Sequence, residues 1–443
     1  MRLSAFFGGL KVFWNKKMET MKVREREKLQ LKRLKWVVAR CAKNPFYKKR
    51  FKEANFSPSK LKKISDLSRI PFTSKTDLRD TYPFGMFTEP LQKIIEVHAS
   101  SGTTGKPIVV GYTKNDVEKV WAEVMARAFT AASVTSKDII QNAYGYGLFT
   151  GGLGFHYGGL KIGATVVPIA TGNTERQIML MQDFGTTVLC CTPSYSLYLY
   201  GSMEQMNVDK NRIKLKCGLF GAEPWSNNMR KEIESRMGIK AFDMYGLSEV
   251  IGPGVAAECE KQNGLHVFDD HFIPEIIDSK TGEVLGPEEE GELVFTTITK
   301  EGFPVLRYRT KDISKLYLEK CECGRTHPRI ERISGRTDDM LIIRGVNVFP
   351  SQIESVVLEM PELEPFYQIT VDRVNNLDTL AVEIEMSKES FAKKNEIEAS
   401  LLKRLSHKLE SVLQIKADLK LVEPGLLPRS EGKAKRVIDK RKM

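Results

Sequence analysis

Four short stretches of this chain gather residue types that handle phosphate, metal and sugar groups. In Ser100-Ser101-Gly102-Thr103-Thr104-Gly105-Lys106-Pro107, two glycines let the backbone approach an anion while hydroxyls and a lysine supply donors, as a polyphosphate requires. This is not a Walker P-loop, because Pro107 stands where a Ser or Thr would hold magnesium. Asp243-Met244-Tyr245-Gly246-Leu247-Ser248-Glu249 closes an apolar strand with a ring, a hydroxyl and a carboxylate. Tyr245 can lie against a base, Ser248 can bond a phosphate or carboxylate oxygen, and Glu249 can hold magnesium. Upstream, Gly221-Ala222-Glu223-Pro224 offers backbone to edge an adenine. In Tyr308-Arg309-Thr310-Lys311-Asp312, the carboxylate of Asp312 suits vicinal ribose hydroxyls, with a surface turn as the plainer alternative. Near the C-terminus, Pro428 and Gly432 ahead of Lys433 suggest a presented loop rather than a solvated tail. A lysine there can offset charge growing on a carboxylate as it attacks phosphorus.

A fifth group is made of soft ligands. Cys321-Glu322-Cys323-Gly324 is a CxC turn, and Cys259 and His266 form a second pair, together a Cys₃His set of the kind that holds structural zinc. His327 is a rival fourth ligand. Cys190, Cys191 and Cys217 fall in apolar runs and read as core. An aromatic, glycine-rich run from Tyr144 to Gly158 favours an aryl group, with Tyr144 and Phe149 as pocket members and core packing as the alternative. No buried cation is evident for a second substrate charge, so a monocarboxylate is expected.

These stretches need a scaffold. Short apolar runs (Ile108–Val110, Thr165–Ile169, Thr187–Cys191, Gly218–Phe220, Glu292–Thr297) alternate with helical segments (Asn115–Ala132, Glu175–Phe184, Asn227–Met237). That alternation predicts an α/β body with largely parallel sheets. Around 281–315 the strands crowd together with turn residues, suggesting a small antiparallel or barrel-like piece. Beyond Gly335 the texture is that of a separate α+β unit: a helix opened by Pro350, strands near 368–386, and a helix from Lys393 to Val412. Ser74 is a helix cap.

The 443 residues exceed one ordinary domain, and the composition excludes a disordered, collagen-like or disulfide-stapled chain. No run is long and apolar enough for a membrane span, and no secretory signal is expected. The clustered cysteines suggest a reducing compartment. The net charge of +12 hints at nucleic-acid binding, but residues 1–63 hold 20 Lys/Arg against 4 Glu while the remainder holds 48 against 52 acids. The excess belongs to one N-terminal helix that buries Leu34, Val37, Val38 and Cys41 and presents a basic, solvated face. Aromatic residues do not interleave with its basic ones, which argues against nucleic acid.

Taken together, the motifs resemble the adenylate-forming superfamily of acyl-CoA synthetases, luciferases and adenylation domains. Tyr245–Pro253, Cys323–Arg329, Gly335–Glu354 and Leu427–Arg436 are similar to the phenylacetate-CoA ligase family nearly letter for letter. The resemblance implies a large N-terminal adenylate-forming domain (1–335) with α/β subdomains and a small β-barrel-like part, plus a small mobile α+β C-terminal domain (336–443). It implies that Mg-ATP and a carboxylate give an acyl-adenylate, which coenzyme A converts to a thioester, in a cytoplasmic homodimer. By motif, Ser100–Lys106 hold the phosphates, Glu249 the magnesium, Asp312 the ribose and Arg336 the nucleotide. Lys433 serves adenylation, and Asp338 is the pivot between half-reactions. A related alternative passes the acyl group to a protein acceptor. Replacing Lys433 by Ala is expected to lose adenylate formation far more than thioester formation from supplied acyl-adenylate, and equal loss of both would defeat the role given to it.

Overall fold

A computed structural model describes residues 12–99, 107–337, 341–343, 346–374, 377–429 and 436–441. The chain divides into two compact units. The first comprises 1–191, 210–222 and 242–332; the second comprises 192–209, 223–241 and 333–443.

The body of the fold is a nine-stranded sheet. Strands Ile139–Asn142, Thr165–Val167, Val188–Cys191 and Cys217–Gly221 pair in parallel, as the strand–helix alternation predicts. At the other end the pairing is antiparallel. Lys240–Leu247, Gly252–Glu258 and Leu265–Val267 follow one another across short connections, and Arg329–Ile330 and Leu316–Tyr317, from later in the chain, extend the antiparallel end. The expected largely parallel sheet is therefore mixed, because only its first half has helical crossovers to reverse the chain between strands. Cys190, Cys191 and Cys217 are core residues within it. The crowded strands of 272–314 form an antiparallel run, Phe272–Ile277 with Gly291–Thr297 and then Tyr308–Ser314.

The basic helix is Val23–Cys41, and it buries Leu34, Val37, Val38 and Cys41 as expected. Its polar side is more than a solvated face. Arg26 reaches Asp269 at 2.8 Å, Gln30 Nε2 donates to the same carboxylate at 2.9 Å, and Arg33 pairs with Asp270. Asp270 is the hub of this layer: Arg127 meets it at 2.7 Å with both side chains sealed from water, and His271 Nε2 lies 3.3 Å away. Burial pushes the Asp270 carboxyl up, but its charged neighbours, Arg127 among them, hold it well below the usual range. Ser74 caps Lys75–Asp80, reciprocated by Asp77.

In the second unit, strands Asp418–Val422, Leu377–Met386, Leu363–Val374 and Val437–Asp439 form a sheet whose central hairpin is antiparallel and whose edges pair in parallel. Helices Pro350–Val357 and Lys394–Leu413 supply Ile353, Val356, Leu401, Leu405 and Leu409 to a core completed by Ile369, Val371, Val382 and Ile384. Helix Asn227–Met237 begins at an N-cap, Ser226, and ends at Gly238 with φ +65°.

Two stability predictions follow from the Asp270 hub. Asp270→Asn takes from the buried Arg127 guanidinium the shorter of its two carboxylate contacts, leaving Glu123, and is expected to lower unfolding free energy by about 3 kcal/mol in denaturant titration; a loss no larger than a surface substitution would contradict the pairing. Burial pushes the His271 imidazole down to about 3, with Asp270 acting against it. An unfolded histidine titrates near ~6.5, so the unfolded chain binds more protons between the two values and stability falls as pH drops through that window. His271→Gln is expected to flatten this part of the pH–stability curve.

Candidate active site and a cysteine–histidine cluster

Tyr245 and Asp312, expected at the nucleotide from separate motifs, meet in the first unit. The Tyr245 hydroxyl donates to Asp312 Oδ2 at 2.5 Å, and both residues are buried. Tyr245 lies on Lys240–Leu247 and Asp312 on Tyr308–Ser314. A register shift opposite Glu292–Val294 aims the carboxylate. There Lys311 adopts φ +70°, a left-handed conformation unusual for a side-chain-bearing residue, and its N–H is taken up by Glu292 Oε1 at 3.2 Å. Asp243 on the same strand as Tyr245 pairs with Arg332 at 3.1 Å.

Glycines let the strand Lys240–Leu247 close onto its neighbours in the nine-stranded sheet. A Cβ on Gly221 would come within 2.1 Å of the Met244 carbonyl, and one on Gly246 within 2.1 Å of the Gly252 carbonyl. Ala222, just past the strand end, sits at φ +70°. In the second unit Glu223 accepts the Ser194 N–H at 2.8 Å, Pro224 precedes the helix cap, and Arg336 lies on the short strand Gly335–Arg336.

Ser248 Oγ is 2.9 Å from Thr150 Oγ1, and its carbonyl accepts from the Tyr112 hydroxyl. Glu249 is 7% exposed. Behind it lies a residue that sequence reading missed: Lys300, fully buried, donates to the Glu249 carbonyl at 3.4 Å and stands 4.7 Å from the Tyr112 ring centre. Burial pushes its ammonium down to about 7, against the pull of Asp116 and Glu249. Nothing local in Thr297-Ile298-Thr299-Lys300 marks this lysine as buried.

Ser100, Ser101, Gly102, Thr103, Thr104, Gly105 and Lys106 lie outside the described residues, as do Asp338 and Lys433. The strands flanking the phosphate loop are described: Ile94–Ala99 and Val109–Thr113 pair antiparallel, Ala99 opposite Val109. Their stem is braced by residues the sequence did not single out. His98 Nε2 meets Glu96 at 2.5 Å and its Nδ1 meets the Leu148 carbonyl at 3.0 Å. The Tyr157 hydroxyl donates to Glu96 at 2.6 Å, and the Ala99 N–H also reaches Leu148. The glycine-rich aromatic run is thereby tied to the entry of the loop. Within that run Tyr144 is largely a brace: its hydroxyl bonds the Cys191 carbonyl at 2.5 Å and its ring stacks on Phe155 at 4.8 Å. Phe149 is half exposed.

Cys259, His266, Cys321 and Cys323 come together, all buried, with ligand atoms within 4.8 Å of one another. Cys259 Sγ and Cys321 Sγ are 3.8 Å apart, and Cys323 Sγ is 3.5 Å from His266 Nε2. A tetrahedral zinc with bonds of ~2.3 Å to sulfur and ~2.0–2.1 Å to nitrogen has edges of about 3.8 and 3.5 Å, so this donor set fits one. The strands dictate the arrangement: His266 stands opposite Ala257 on one side and Arg329 on the other. Hydrogen bonds from Cys259 and Cys321, with His266 beside it, hold Cys323 well below the usual thiol range. Burial lowers His266, keeping its imidazole neutral, the ligating form. His327 is elsewhere engaged: its Nδ1 bonds Asp269 at 2.8 Å, which leaves His266 as the histidine of the cluster.

Comparison with known proteins agrees with this geometry. Residues 86–299 match the family model for AMP-binding enzymes, and residues 345–441 match that for the AMP-binding enzyme C-terminal domain. The chain is 49% identical to a phenylacetate-coenzyme A ligase of Escherichia coli (strain K12), covering 96% of this chain and 97% of that one. To the enzyme of the same name from Thermus thermophilus it is 47% identical, covering 97% and 100%. A crystal structure of 2-hydroxyisobutyryl-CoA ligase, in the postadenylation state with 2-HIB-AMP, superposes with a TM-score of 0.92 at 28% identity, covering 98% of this chain and 93% of that one. With the Tyr245 hydroxyl bonded to Asp312 and near-half identity along almost its whole length, the chain belongs to the phenylacetate-CoA ligase family of AMP-binding enzymes.

Proposed function

We propose that this chain is an AMP-forming ligase joining phenylacetate, or a close aryl monocarboxylate, to coenzyme A. The observation that carries the nucleotide site is the Tyr245–Asp312 contact, which sets a buried carboxylate where two nucleotide motifs converge. In the first step a carboxylate oxygen of the acid attacks the α-phosphorus of ATP, and the bond to pyrophosphate breaks. In the second, the thiol sulfur of coenzyme A attacks the acyl carbon, its proton is lost, and AMP departs with the bonding electrons. The chemistry asks mainly for in-line positioning and offset of charge.

In this reading Ser100–Lys106 hold the phosphates, Asp312 the ribose and Arg336 the nucleotide. The Gly221–Pro224 segment and the Asp243–Ser248 strand end frame the base. Glu249, a single carboxylate almost out of solvent, suits magnesium, which keeps most of its waters and binds through one or two carboxylates plus phosphate oxygens. Magnesium when bound would neutralise charge on the phosphates. Lys433 offsets charge at the attacking oxygen, the C-terminal domain from residue 336 turns about Asp338 between steps, and Phe149 faces the acyl group with Tyr144 behind it. None of the seven cysteines is in a disulfide, which suits the cytoplasm.

The Cys₃His cluster is assigned a structural zinc. It stitches the strand Leu265–Val267 to the turn at 321–324, and four protein ligands leave no open position for chemistry. Purified protein is expected to carry close to one zinc per chain by elemental analysis. Cys323→Ser is expected to lose it along with thermal stability, and absence of stoichiometric zinc would contradict the assignment.

Pyrophosphate release across a panel of carboxylic acids, with and without coenzyme A, tests the activity. Phenylacetate is expected to drive continuous release only when coenzyme A is present, with AMP and thioester in equal amounts. Release that ignores the acid, or turnover indifferent to coenzyme A, would overturn it.

A further inference from the structure

Residues 430–435, which include Lys433, are flanked on both sides by arginines held on buried carboxylates, all in the second unit. Upstream, Arg429 forks onto Glu385 at 2.9 and 2.6 Å and lies 3.5 Å over the Phe366 ring. Glu385 is wholly buried and also accepts the N–H groups of Gly425 and Leu427 at 3.0 and 2.8 Å. Each of these bonds stays within residues 385–429.

The downstream flank is built differently. Arg436 pairs with Glu354, its guanidinium lies 4.5 Å over the Tyr367 ring, and its carbonyl accepts the Ile369 N–H at 2.7 Å. Glu354, on the helix Pro350–Val357, is 3% exposed. Its Oε2 takes the Tyr367 hydroxyl at 3.3 Å and its Oε1 takes the backbone N–H of Ser226 at 3.1 Å. The neighbouring Ser355 carbonyl accepts Asn228 Nδ2 at 3.1 Å. Ser226 and Asn228 open the helix Asn227–Met237, directly after the Gly221–Pro224 segment assigned to the adenine. One buried carboxylate therefore bonds both the arginine three residues after Lys433 and the backbone that follows the nucleotide edge.

We infer that Glu354 is a positioning residue for adenylation, clamping the downstream flank of the Lys433 segment to the chain that leaves the nucleotide edge. A carboxylate this deeply buried must keep its charge partner, so Arg436 is held wherever Glu354 goes. The bond to Ser226 is the separable part, because it joins the region matched by the C-terminal domain model to a stretch outside it. Glu385 ties the upstream flank to its own neighbours, whereas Glu354 ties the downstream flank to Ser226. Thioester formation does not use Lys433 in this scheme and does not need the clamp.

The inference rests on the assignment of Lys433 to adenylation, so Lys433→Ala is measured beside the clamp variants in both half-reactions: pyrophosphate release from ATP and acid, and thioester formation from supplied acyl-adenylate and coenzyme A. Glu354→Gln keeps the shape and an acceptor oxygen but loses the charge; Arg436→Lys leaves the buried Glu354 a cation while losing the planar guanidinium over Tyr367, and so guards against misfolding of the first. Each is expected to slow adenylate formation about 10- to 100-fold through kcat, since small misplacement of a reacting group costs that much. Thioester formation should change little, and the double variant should fall no further than the worse single one. Equal losses in both half-reactions, additive losses, or unimpaired adenylation by Glu354→Gln beside a defective Lys433→Ala would overturn the clamp alone. Full adenylation by Lys433→Ala would instead overturn the assignment of the lysine.

Discussion

The contact between the Tyr245 hydroxyl and the Asp312 carboxylate constrains the first unit more than any other single interaction described. It joins the end of one strand of the nine-stranded sheet to a bulged strand of the neighbouring antiparallel run. On the Tyr245 side the strand is packed tightly against its sheet neighbours at Gly221 and Gly246, where any side chain would strike a carbonyl. The strained backbone at Lys311 is the local cost of aiming the carboxylate inward. The carboxylate proposed to hold the ribose is thus oriented before any nucleotide arrives, so its orientation costs nothing at the time of binding.

Around this point the unit relies on charge buried in pairs. The N-terminal helix is held by Arg26, Gln30 and Arg33 on Asp269 and Asp270, and Arg325, two residues beyond Cys323, is held on Glu19. Removing either member of such a pair leaves an uncompensated charge out of water, so these contacts specify how the chain docks even where their net contribution to stability is small. Lys300 beneath Glu249 is the extreme case, an ammonium with no exposure whose neighbours are Asp116 and aromatic faces. It gives the Glu249 turn a buried amine neighbour that burial makes easy to deprotonate.

What was legible in the sequence was what local pattern controls. Helix Asn227–Met237 came out with its observed bounds, the apolar face of Val23–Cys41 with all four of its residues, and the Cys₃His set as a single cluster. Periodicity, capping and ligand spacing carry that information over a few residues. Partners more than two hundred residues apart do not announce themselves this way. The basic helix read as a solvated face because its acids, Asp269 and Asp270, lie far along the chain. Nothing near Tyr144 in the sequence shows that its hydroxyl is committed to the Cys191 carbonyl. The Glu96–His98–Tyr157 brace was missed for the same reason, since it joins a strand to a helix sixty residues on.

The account as a whole turns on where a nucleotide lies. A crystal structure with bound ATP or acyl-adenylate settles this most directly. The ribose hydroxyls should be found on Asp312, with the base near Tyr245 and the Gly221–Pro224 segment. A nucleotide seated away from Asp312 would contradict it.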